Sequence, residues 1–181
     1  MKELSLHILD LAQNSLKADA NKVIITIVED LEKNKFIIEI EDDGKGMDKE
    51  LLKIADDPFF TTRKTRKVGL GLSLMKATAE RCDGNFKIES KKNKGTKVLC
   101  SLKHDHIDRP PLGNIGETIM ILLNNEQSVE IFYRHYYNKK SFTFNTLEVK
   151  EMLKDVDIRT NEVLLWIKDY INENIKNLYT V

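Results

Sequence analysis

The spacing of apolar residues along this chain changes period, and it does so twice in the same order. From Lys2 to Ala18 they recur at helical intervals, and two short runs follow, Val23 to Val28 and Phe36 to Asp42. The second run alternates Phe36, Ile38 and Ile40 with Glu39 and Glu41, as a half-buried strand should. After a short helix over Lys49 to Ala55 and a basic loop, TTRKTRKVG, helical spacing returns from Gly69 to Arg81 and stops at Asp83-Gly84. Asn85 to Ser90 and Thr96 to Leu102 then read as two strands joined by a turn over Lys91 to Gly95. An order of helix, strand, strand, loop, helix, strand, strand predicts an α+β, two-layer sandwich in which helices cover one face of a mixed sheet.

Size and charge narrow what such a sandwich can do. A chain of 181 residues with 41% hydrophobic content buries a proper core and holds one ordinary domain with a small appendage. Lysine plus arginine equals aspartate plus glutamate at 29 each, so no global field favours nucleic acid or an anionic membrane as partner. Cys82 and Cys100 lack metal-like spacing, no secretory leader is recognisable, and no apolar run is long enough for a bilayer. A cytoplasmic protein with reduced thiols is expected. HDHIDRPPLGNIG breaks all periodicity, which divides the chain into a first domain over 1–104, a linker over 105–117 and a smaller α+β module over 118–181.

Projected at about 100° per residue, the opening helix gathers Leu4, Ile8, Leu11, Ser15 and Ala18 on one side, widened by Leu9, Ala12 and Leu16. His7, Asp10, Asn14 and Lys17 form a separate polar stripe. A solvated face explains any one of them. Further along, IEIEDDGKGMD puts Asp42 at a strand end, followed by Gly44 and Gly46. A carboxylate fixed there accepts from an exocyclic amine, and glycines let the backbone approach a flat base. Arg63 to Lys67 then place four cations just before a glycine-opened helix, whose free N–H groups and dipole favour an anion. Phosphates fit that place, and an asparagine oxygen on the first helix can complete the shell of a magnesium ion shared with them.

DLAQNSLKADA, DDGKGMD, DPFFTT with GLGLSLMKATAERCDGNFKIES, and KGTKVLCSL together resemble, in order and spacing, the nucleotide-binding domain of histidine kinases. That domain belongs to the GHKL superfamily, with DNA gyrase B and the heat-shock chaperone and mismatch-repair ATPases. The resemblance covers residues 1 to about 102. It implies a Bergerat-type fold that binds ATP and Mg2+, with Asn14 as the magnesium-binding asparagine and Lys17 at a phosphate-contacting position. Asp42 resembles the adenine-reading aspartate, helped by Thr96, with Gly44, Gly46 and Met47 shaping the base pocket. Phe59 and Phe60 resemble the start of an ATP lid whose body is Thr61 to Val68, including Thr62, Lys64 and Lys67. Gly69 and Gly71, with Leu70 and Leu72, match the end of the phosphate-cradling box. His7 matches nothing in the family.

Two departures stand out. Lys67 replaces the first glycine of that box and adds a cation. Asp10, one turn before Asn14, occupies a place similar to that of a catalytic glutamate in related branches. It is one methylene shorter, so a water or hydroxyl must come about 1.5 Å nearer. A histidine kinase also needs a helical hairpin carrying its phosphoacceptor, for which no room is expected here. The acceptor is therefore expected on a partner protein.

Residues beyond about Gly113 lie outside the resemblance. Thr118 to Leu123, Glu130 to Tyr137 and Lys140 to Asn145 alternate like strands of a β-meander, and helices are expected over Thr146 to Lys154 and Thr160 to Asn177. Those helices carry more acid than base, which argues against a DNA reader. A docking or dimerising module fits better, with Phe132, Tyr133, Tyr136 and Trp166 as anchors against a reading of each as core. Three functions stay open: phosphotransfer from ATP to a protein partner in two-component-like signalling, a conformational ATPase that dimerises, and a nucleotide sensor without turnover.

Overall fold

A computed structural model describes residues 2–55 and 70–180. The chain runs α1 (Leu4–Lys17), β1 (Lys22–Asp30), β2 (Lys35–Asp42), α2 (Lys49–Ile54), α3 (Gly71–Arg81), β3 (Asn85–Lys91) and β4 (Gly95–Lys103). It continues through α4 (Ile115–Leu123), β5 (Glu130–Tyr137), β6 (Lys140–Asn145), α5 (Thr146–Leu153) and α6 (Asn161–Leu178). Six strands form one sheet in the order β3-β4-β2-β1-β5-β6. β1 and β5 are parallel and the other pairs antiparallel, so the sheet is mixed as expected.

Period-two alternation decides which face is covered. Val23, Ile25, Ile27 and Glu29 of β1 are buried, and so are Phe36, Ile38, Ile40 and Asp42 of β2. These eight residues pair across the two strands, Val23 beside Asp42 at one end and Glu29 beside Phe36 at the other. Onto this face α1 lays Leu4, Ile8, Leu11 and Leu16, all buried. Each such side chain contributes about 1.5–3 kcal/mol through burial. α3 packs on β3, β4 and α1, and α4 packs between α1 and α6.

One expected strand is a helix. Thr118 to Leu123 form the larger part of α4, whose buried residues Ile115, Thr118, Ile119, Leu122 and Leu123 follow a three-to-four spacing. A run this apolar on every side carries both periods at once, and the N-terminal signal settles the matter: Asn114 caps the helix by accepting from the Glu117 N–H at 2.9 Å. The proline segment before it is bonded to α1, whose own N-cap residue Glu3 makes no capping hydrogen bond. The carbonyls of Pro111 and Leu112 take the N–H groups of Leu4 and Ser5 at 2.9 and 2.7 Å, satisfying two donors that a helix start leaves open. β5 then adds to β1 along its whole length, from Lys22 beside Glu130 to Glu29 beside Tyr137.

A polar cluster closes the far end of the sheet. Glu29, 4% exposed, accepts from His135 Nε2 at 2.9 Å and the Tyr179 hydroxyl at 2.5 Å on one oxygen, and from His104 Nε2 at 2.8 Å on the other. An ionised carboxylate only accepts, so both imidazoles carry a proton on Nε2. The other ring nitrogen of His135, Nδ1, lies 2.8 Å from the Tyr133 hydroxyl. Burial pushes the Glu29 carboxyl up, but the hydrogen bonds from His135, Tyr179 and His104 outweigh it and hold it below the usual glutamate value. Of the four aromatic residues read as either core or anchor, Tyr133 is fully buried in this cluster, whereas Tyr136 and Trp166 are exposed and Phe132 is half-buried.

Candidate nucleotide site

Asp42 is the last residue of β2 and points to the helical face, 9% exposed. Three donors converge on it. The Gly44 and Thr96 N–H groups reach Oδ1 at 2.9 and 3.2 Å, and the Ser15 hydroxyl reaches Oδ2 at 2.6 Å. The strand register brings Thr96 of β4 directly beside Asp42, and α1 brings Ser15 over it. Sequence reasoning missed Ser15, although the signal was visible: it is a polar residue on the apolar side of α1.

The turn after Asp42 is held against α1. The Lys45 N–H bonds to the Ala18 carbonyl at 2.8 Å, and a Cβ added to Gly44 would lie 2.8 Å from that same oxygen. Gly46 adopts φ +59°, with the Lys91 carbonyl where a side chain would begin, so glycine is required on two counts. Met47 donates its N–H to Ser90 Oγ at 2.8 Å. That hydroxyl also lies 2.9 Å from Thr96 Oγ1 and 3.0 Å from the Gly95 carbonyl. Ser90 was the second missed residue, hidden at an inward position of a strand where serine carries no distinctive pattern.

The polar stripe of α1 is graded rather than uniformly wet. His7 is 2% exposed, Asp10 and Asn14 are half-buried, and Lys17 is exposed in the last turn. Burial, with the chain's amino terminus and Arg81 adding to it, lowers the His7 imidazole to about 4, and its Nδ1 has no hydrogen-bond partner among the described residues. Asp10 and Asn14 face the start of α3. A Cβ built on Gly71 would stand 3.2 Å from Asp10 Cβ and 3.8 Å from Asn14 Nδ2. Among the described residues no side chain caps this helix, leaving its first N–H groups available. Leu70 is exposed, and Leu72 packs half-buried against the core. Thr62, Lys64, Lys67 and Gly69, with Phe59 and Phe60, lie outside the described residues.

A strand-end carboxylate, a helix with an amide and an acid on its inner flank, and a glycine-opened helix thus share one corner of a two-layer α+β sandwich, the Bergerat-type arrangement. Residues 2–106 match the family model of histidine kinase-, DNA gyrase B-, and HSP90-like ATPases, and the chain belongs to this family, the GHKL ATPases. Sporulation kinase C of Bacillus subtilis is 32% identical over 99 residues, covering 54% of this chain and 23% of that protein. Anti-sigma F factor of Clostridium acetobutylicum is 32% identical over 81 residues, covering 44% of this chain and 52% of that one. The chain therefore spans less than two thirds of either relative. Among solved structures, the N-terminal domain of a DNA repair protein superposes with a TM-score of 0.53 at 17% identity, covering 79% of this chain and 52% of the other. That likeness speaks for the fold alone. No helix among the described residues is long and apolar enough to cross a membrane.

Proposed function

We propose that this chain binds Mg-ATP in the corner between α1, the end of β2 and the start of α3, and passes the γ-phosphoryl group to a partner protein. The observation that carries this reading is the packing of Gly71 against Asp10 and Asn14, which sets the free N–H groups of α3 beside the polar flank of α1. In this reading Asp42 takes the adenine amine, Asn14 supplies one oxygen to the magnesium ion, and Lys17 and the α3 N-terminus take phosphate. Such an ion fits the donor set: a lone amide oxygen leaves phosphates and water to complete an octahedral shell. Lys64 and Lys67 are proposed to join from the lid, with positioning and charge neutralisation supplying most of the catalysis. Residues 118–181 are proposed to dock the partner, with exposed Trp166, stacked on Tyr170 at 5.1 Å between ring centres, as an anchor.

A second reading is favoured by Asp10 itself. Its Cβ lies 3.2 Å from a Cβ built on Gly71 at the start of α3, which supports a role in taking a proton from a water or hydroxyl attacking a terminal phosphate bound there. Slow ATP hydrolysis follows from that role. Incubating the full chain with γ-labelled ATP and a lysate of the native host separates the readings: labelled protein supports transfer, labelled free phosphate supports hydrolysis, and neither supports a sensor. Asp10→Asn is expected to leave ATP affinity within a few fold while abolishing turnover. Unchanged turnover removes Asp10 from the chemistry.

A further inference from the structure

We propose that the groove between α6 and the outer edge of β6 takes an extended, arginine-bearing segment of the partner protein, which adds to the sheet as one more strand and seats its cations on the stacked rings of Trp166 and Tyr170. The inference rests on the reading above that residues 118–181 dock a partner, and it gives that partner a chemistry.

β6 is the last strand of the sheet, with β5 on one side and no strand among the described residues on the other. An open edge is a row of unpaired N–H and C=O groups, which folded proteins guard with lysine, proline or a bulge. From Ser141 to Asn145 this edge reads SFTFN, with no charge and no proline. The lysine of the strand, Lys140, is engaged elsewhere, its amine donating to the Thr180 carbonyl beyond α6. An unguarded edge of this kind is a template for an added strand.

α6 forms the wall beside that edge. One flank is closed by α4, where Asn172 takes the Gly116 N–H at 3.0 Å. At about 100° per residue Tyr170 lies on the opposite flank. There it meets Phe142 of β6 edge to face at 5.8 Å, and Trp166 stacks on Tyr170 at 5.1 Å with the ring planes 15° apart. Trp166 is 49% exposed and Tyr170 39%, so the aromatic row that starts under the helix runs out into solvent beside the strand. Glu162, Asp169 and Glu173, all exposed, share the Trp166 ridge at i−4, i+3 and i+7. Of the three, Asp169 alone has an ion pair among the described residues, with Lys168 at 3.6 Å. An aromatic stack flanked by carboxylates is complementary to a guanidinium group, which lies flat on a ring and donates in a planar fork. Charge selects the segment, and the strand edge sets its extended form.

Trp166 is the single tryptophan of the chain, so its fluorescence reports on the groove. The probe is a short peptide of alternating arginine and valine titrated into the full chain. Saturable binding is expected, at least about tenfold tighter than for the same peptide with glutamate in place of arginine. N-methylating one alternate set of its amides should abolish binding, and methylating the other set should change it less than about threefold, because only one set faces β6. By calorimetry, Trp166→Leu should weaken binding about tenfold. Glu162→Gln with Glu173→Gln should weaken it about threefold and flatten its salt dependence. Equal binding of the glutamate peptide, equal tolerance of both methylation sets, or no binding of the arginine peptide overturns the proposal. So does a free chain that dimerises and is dispersed by the peptide, which puts a second copy in the groove. Phosphoryl transfer to a lysate protein while the peptide stays unbound overturns the groove alone and leaves the proposed function standing.

Discussion

Asp42 and Glu29 stand on the same inward face of the sheet, at opposite ends of the β1–β2 pair, and both are nearly closed off from solvent. Asp42 is held by two backbone N–H groups and one hydroxyl, none of them charged. Glu29 is held by side chains from β5, α6 and the segment after β4, and these take up its oxygens from three directions. Both carboxylates accept three hydrogen bonds, two on one oxygen and one on the other, so they differ in the source of the donors and not in their number. An acid held by the backbone of its own turn and strand partner keeps its place beside a corner of the fold, whereas one shared by three side chains far apart in sequence ties those segments together.

The sharpest way to break this comparison is to remove each acid and read both properties. Asp42→Ala should weaken ATP binding by a hundredfold or more by calorimetry and lower stability in urea by about 1–2 kcal/mol, because the Ser15, Gly44 and Thr96 donors lose their acceptor while the fold persists. Loss of the fold instead would make Asp42 a structural group like Glu29. Glu29→Ala should do the reverse: about 3 kcal/mol of stability lost, since His104, His135 and Tyr179 are left without their shared partner. ATP affinity in that variant should stay within about threefold.

A smaller effect sharpens the contrast through pH. Glu29 titrates below an ordinary glutamate, so its contribution is whole above pH about 4.5 and is lost as pH falls through the folded value. His7 acts in a separate window. Its imidazole sits at about 4 against an ordinary 6.5, so the unfolded chain takes up a proton between those values that the native protein refuses, and stability falls as pH drops from 6.5 to 4. Urea midpoints measured from pH 7 to 3 should show both slopes. His7→Leu should flatten the upper one alone and Glu29→Gln the lower one alone.

Much of the candidate site was legible because its residues sit in local patterns. Asn14 and Asp10 belong to one helical stripe, Asp42 ends an alternating strand, and Gly71 opens a helix after a basic loop. Their convergence was less legible, since it depends on α3 crossing α1 at a glycine. Ser15 was placed with the apolar side of α1, which is where its backbone lies; that its hydroxyl faces a carboxylate 27 positions away follows only from the sheet register. The Glu29 cluster left no trace at all, because its partners are 75, 106 and 150 positions distant along the chain. Tyr133 carried two readings, core and docking anchor, and the fold makes it core: a tyrosine alternating in an edge-like strand has no mark of its own that says it will be covered.

By itself the sequence determined the alternating elements, the two-layer arrangement and the residue types that line the proposed nucleotide corner, because period, capping and turn chemistry act over a few residues. Tertiary structure decided which polar groups are spent and which are free. A hydrogen-bond donor is neutralised only by an acceptor brought within about 3 Å, and whether that acceptor comes from the chain or from a ligand depends on contacts that no local pattern records.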